Sequence, residues 1–94
     1  MWSGQCVADN KKLDDLKKIS PPTNTPAICI EECLQLKYAF AGVQNGNDCI
    51  CGDISPTRNL IRKKKDCNKP CIGNSKLMCG GHWKRNVFGT GKQN

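Results

Sequence analysis

The chain has 94 residues, 8 of them cysteine, and 15 Lys and Arg against 8 Asp and Glu give it a formal charge of +7. So short a chain makes one domain with a modest core that leans on cross-links. Dense, even-numbered cysteine belongs to an oxidising, secreted or extracellular setting, the basic balance favours anionic partners and a monomer, no apolar run approaches the roughly 20 residues of a membrane span, and five aromatics are too few for a broad stacking surface.

In chain order, Trp2 to Val7 reads as an edge strand entering at Cys6. Met1-Trp2-Ser3 is not a basic region followed by an apolar stretch, so any secretory leader is expected to have been removed already. Leu13, Leu16 and Ile19 recur at intervals of three and predict a short helix over 11–19, ended by Ser20-Pro21-Pro22 because proline lacks an N–H. Thr25 suits a helix cap and Pro26 the first helical position. Ile30, Cys33, Leu34 and Lys37 keep the period, which predicts the main helix at about 26–37. Tyr38 to Val43 alternates as a strand and would put Tyr38 and Phe40 on one face. Asn45-Gly46 tolerates a tight turn, and Asp48 to Cys51 returns as the partner strand.

Residues 53–66 read as a surface loop carrying Arg62-Lys63-Lys64-Lys65. Cys67 to Cys71 is a tight turn, 72–75 a loop, and Cys79-Gly80-Gly81 a second corner where glycine lets backbones approach. Asn86 to Phe88 reads as a last strand. The expected organisation is a single domain over 2–88 with a flexible tail over 89–94.

Cysteine spacing carries the most information. Cys29 and Cys33 are four apart, one face of a helix; Cys49 and Cys51 are two apart, one face of a strand. Four helical residues rise about 6 Å and two strand residues about 6.6 Å. A helix lying along a strand could therefore meet it with both sulfur pairs in register, and Ile50 would point the other way. That leaves Cys6, Cys67, Cys71 and Cys79 for two further bridges, although eight cysteines allow on the order of a hundred pairings. Zinc is a poor competitor: Cys49 and Cys51 are closer than its usual ligand gap, and His82 has no second histidine. No metal or cofactor is expected.

No nucleophile with a base and no paired carboxylates are evident, so an enzyme is not expected. Trp83 reads plainly as a loop tryptophan over a disulfide. Asn45, Asn47 and Asp48 could bind hydroxyls, although such residues favour turns anyway. Arg62, Lys63, Lys64 and Lys65, with Lys84 and Arg85, could meet an anionic partner or simply be a solvated surface. Tyr38 is a further candidate contact. Nucleic acid is not expected as a partner, since no nucleic-acid motif accompanies the charge.

The ordered set of motifs resembles the WSC domain, the cysteine-rich module of yeast cell-wall stress sensors and Kremen receptors. The resemblance runs from Trp2-Ser3-Gly4-Gln5-Cys6, with one extra residue before the cysteine. It continues through Thr25, Cys29 and Cys33, Tyr38 to Val43, and Asp48-Cys49-Ile50-Cys51-Gly52. It closes with Cys67-Asn68-Lys69-Pro70-Cys71-Ile72-Gly73, Cys79-Gly80-Gly81 and Val87-Phe88. It implies a small disulfide-rich α+β fold, one helix packed on a twisted antiparallel sheet with four disulfides. It also implies extracellular, non-catalytic binding of carbohydrate, β-glucan or another wall or surface polysaccharide. The chain departs from the family where Val7, Asn45 and Ile50 stand in place of frequent aromatics, and where Trp83 replaces a small polar residue, which makes Trp83 the candidate exposed ring. A small basic secreted effector (a host-defence protein, toxin or signalling ligand) on the same scaffold is the alternative, and a module docking a protein receptor is a third.

Overall fold

The structure, a computed structural model, describes residues 2–9 and 16–93. Seven strands are seen among them: β1 (Ser3–Ala8), β2 (Lys17–Ile19), β3 (Phe40–Gln44), β4 (Asp48–Gly52), β5 (Pro70–Cys71), β6 (Asn74–Met78) and β7 (Lys84–Gly89). One α-helix, α1 (Pro26–Gln35), and two 3₁₀ turns, Arg58–Leu60 and Lys64–Asp66, complete the elements. Five strands form an antiparallel sheet in the order β1-β7-β3-β4-β2, and β5 pairs with β6 in a separate ribbon. The chain is thus a small α+β fold of one helix on an antiparallel sheet, with four disulfides.

Local chemistry sets the helix limits. The Thr25 side chain accepts a hydrogen bond from the Ile28 N–H at 3.2 Å, and Pro26 opens the first turn without wasting a donor. The helix stops at Gln35, two residues before the expected end. Lys37 takes a φ of 68°, while the N–H groups of Lys37 and Tyr38 bond the carbonyls of Leu34 and Cys33. Those two bonds satisfy carbonyls that the last helical turn leaves open.

The expected helix over 11–19 is corrected where it can be seen. Lys17–Ile19 is an edge strand paired with β4, and 11–15 lie outside the described residues. Lys17–Ile19 lie just before Ser20-Pro21-Pro22, which cannot continue a helix, whereas β4 offers a ready hydrogen-bonding edge. The expected loop over 72–75 is likewise corrected: Asn74 begins β6. The last strand is Lys84–Gly89 rather than starting at Asn86. Thr90 is buried, its N–H bonding Ala39 and its hydroxyl donating to the Tyr38 carbonyl.

The core lies between α1 and the sheet, and it is largely sulfur. Cys29 and Cys33 bridge Cys49 and Cys51 respectively, with Cα separations of 5.4 and 5.3 Å. All four are fully buried with Ala41 and Val43. The other disulfides are Cys6–Cys67 and Cys71–Cys79.

Tyr38 and Phe40 do not share a face. Tyr38 precedes β3 in the helix-ending turn and packs on the core, while Phe40 lines the opposite side of the sheet. Ile50 also faces that opposite side, as strand alternation requires. There, Val7, Phe40, Ile50, Ile54, Leu60 and Val87 enclose an apolar cavity of about 120 Å³ beneath the loop that follows β4.

The Gly-Gly corner is a packing device. Gly80 has a φ of 77°, and a Cβ there would lie 2.4 Å from the Val43 carbonyl oxygen. Only glycine lets this corner close over the end of β3.

Candidate ligand-binding site

Strand register decides which candidate residues meet. Gln44 at the end of β3 pairs with Arg85 near the start of β7 and with Asp48 at the start of β4. The β3–β4 turn over 45–47 and the 82–83 turn before β7 therefore lie at the same end of the sheet. Asp9 at the end of β1 joins them, its N–H donating to the Trp83 carbonyl at 2.8 Å. The sequence-separated Asn45, Asn47, Asp48, Trp83 and Lys84 thus converge on one rim, with the Arg85 backbone at the same end.

Their chemistry differs. Trp83 is 49% exposed, sits at a φ of 56°, and meets His82 edge to face with ring centroids 5.6 Å apart. Asn45, at a φ of 58°, and Asn47 are exposed in the turn. The hairpin is clamped from below, because the Gly46 N–H donates to the Cys79 carbonyl and the Gly46 carbonyl accepts from Ile72. Asp48 is engaged: its carboxylate accepts from the Ser20 hydroxyl at 3.2 Å and pairs with Lys18 at 3.5 Å. Lys84 is half-buried.

Arg85 belongs beneath this rim rather than on it. Its guanidinium pairs with Asp9 and donates through Nε to Gln44 Oε1 at 3.1 Å, and the Gln44 amide donates to Asp9 at 3.2 Å. Burial pulls the Arg85 pKa down while Asp9 opposes the shift. A buried, paired guanidinium orders the turn region and is not free to meet a ligand. Tyr38 lies at the opposite end, beside Thr90.

The basic run of 62–65 is separate again. Arg62 follows an isolated bridge between Val7 and Ile61, and its N–H donates to the Cys6 carbonyl at 2.7 Å. Lys64 and Lys65 begin a 3₁₀ turn ending just before Cys67. The sequence reading missed Asn24, fully buried with its amide on the Asp48 carbonyl at 3.2 Å. Its place before the Thr25 cap was visible, but the contact spans 24 positions and only the fold makes it.

A rim of amides, a ring and a lysine can hold hydroxyl-rich ligands by stacking and hydrogen bonds. The WSC domain profile matches residues 4–81. Xylosyltransferase oxt of Drosophila melanogaster is 40% identical over 83 residues, covering 88% of this chain and 10% of that protein. A WSC domain-containing protein of Arthroderma benhamiae is 33% identical over 64 residues, covering 68% and 9%. Human Kremen protein 2 is 32% identical over 65 residues, covering 68% and 14%. The chain spans about a tenth of the length of these relatives, so it matches a module within each. With the profile covering most of the chain, and the helix, sheet and four bridges in place, the chain belongs to the WSC domain family.

Proposed function

We propose that this domain is a non-catalytic, extracellular module that binds a neutral cell-wall or cell-surface polysaccharide of the β-glucan kind. The observation that carries the reading is the half-exposed Trp83 ring on the same sheet end as Asn45 and Asn47. A ring face covers the apolar side of a pyranose, and turn amides offer both donors and acceptors to its hydroxyls. Membership of the WSC family supports carbohydrate binding, and a xylosyltransferase among the relatives supports a setting where sugars are handled. Four bridges suit an oxidising compartment, and among the described residues no helix is long and apolar enough to cross a membrane.

The test is a titration against laminarin, mannan and chitin oligomers. A saturable signal from at least one of them is expected, and none at millimolar sugar would remove the reading. The charge of +7 favours a second reading, a basic secreted effector. Anionic liposomes in the same assay separate the two, since indifference to them at low salt counts against the effector.

A further inference from the structure

We infer that a second saccharide site, specific for an acidic (sulfated or uronate) glycan, lies in the groove between β1 and the 61–68 segment. This groove has a volume of about 860 Å³, within the roughly 300–1,000 Å³ range of ligand clefts. Arg62, Lys64 and Lys65 line one side and Ser3, Gly4 and Gln5 of β1 the other, with the exposed apolar side chains of Ile61 and Met78 between the charges and supplying much of the surface. No carboxylate lines it. Among the described residues no ion pair takes up any of its three cations.

The groove is built rather than incidental. The Cys6–Cys67 disulfide lies in its lining and ties the polar strand to the basic segment. The Arg62 N–H to Cys6 carbonyl bond and the Val7–Ile61 bridge add two backbone ties. Arg62 Nη1 is held by the carbonyls of Asn59 and Ile61 at 3.0 and 3.2 Å, which fixes the plane of the guanidinium. A planar fork held in place suits a sulfate or carboxylate. Asn86 positions the strand edge, its amide donating to the Gly4 carbonyl at 3.0 Å.

The lining selects the ligand class. It contains no aromatic side chain, so bases have nothing to stack on. Cations with a neighbouring amide at Asn68 match a polymer that alternates acidic groups with hydroxyls. Only three of the four consecutive basic residues line the groove: Lys63 caps the 3₁₀ turn and stays outside it. Diffuse attraction would treat the four alike, and a groove would not.

The experiment titrates a heparin oligosaccharide into the wild-type domain, Lys63→Ala, and the pair Lys64→Ala/Lys65→Ala, at about 50 and 150 mM salt. A laminarin oligosaccharide of equal length is the neutral control. All replaced side chains are exposed, and melting curves check that folding is unchanged. Saturable heparin binding that weakens with salt is expected, with a loss of about tenfold or more in the double variant. Lys63→Ala should lose less than about twofold, and the double variant should leave any laminarin signal unchanged. Absent heparin binding at the lower salt overturns the site, as does a loss in Lys63→Ala that reaches half of the double variant's on a logarithmic scale, the share that diffuse attraction would give each lysine. Equal affinity for a charge-matched oligonucleotide or for anionic vesicles would also overturn it. Failure of laminarin alone would sink the neutral-glycan reading and leave this one standing.

Discussion

Arg85 illustrates how a single side chain changes role between sequence and fold. Beside Lys84 it reads as half of an exposed dibasic pair, but β7 alternates and turns it inward while Lys84 stays at the rim. Its side chain and that of Asp9 are only 10% and 13% exposed. Arg85→Met would strand a nearly buried Asp9 carboxylate, and a loss of about 3 kcal/mol is expected in guanidinium chloride unfolding. Replacing Asp9 with Leu in the same chain should recover much of that loss, because both charges then go together. Trp83 is the opposite case. Trp83→Ala removes an exposed ring from a positive-φ turn, so its melting temperature should hardly move while laminarin binding falls about tenfold or more.

At the scale of elements, the two termini of α1 differ in how readily the chain declares them. The start was legible at Thr25-Pro26, since capping needs only neighbouring residues. The end was not, because Lys37 adopts the left-handed conformation that glycine usually supplies. Lys37→Gly is expected to raise stability by about 0.5–1 kcal/mol, read as a higher denaturation midpoint. A destabilised variant would mean that Lys37 makes contacts outweighing its backbone cost. β2 was hidden for a related reason. Its three residues carry no strand pattern of their own, and pairing with β4 alone makes them a strand.

For the molecule as a whole, stability rests on bridges spanning very different lengths of chain. Cys6 and Cys67 are separated by 61 positions, Cys71 and Cys79 by 8. Chain-entropy reasoning assigns about 4 kcal/mol to the longer loop and about 2.5 kcal/mol to the shorter. Paired Ser replacements should therefore rank in that order in equilibrium unfolding. The reverse order would show that packing around Cys71–Cys79, rather than loop closure, dominates.

What the chain declares unaided is whatever depends on near neighbours or on fixed periods: the helix start, the Asn45-Gly46 turn, and the matched spacings of Cys29/Cys33 and Cys49/Cys51. The family resemblance rests on those same short motifs in order. What only the tertiary structure decided is whatever depends on register between distant strands. Register buried Arg85 against Asp9 and Gln44, carried Trp83 to the hairpin rim, separated Tyr38 from Phe40, and set Gln5 across a groove from Lys64. Cross-strand pairing is set by hydrogen bonds and packing over tens of residues, and a one-residue slip would exchange every face.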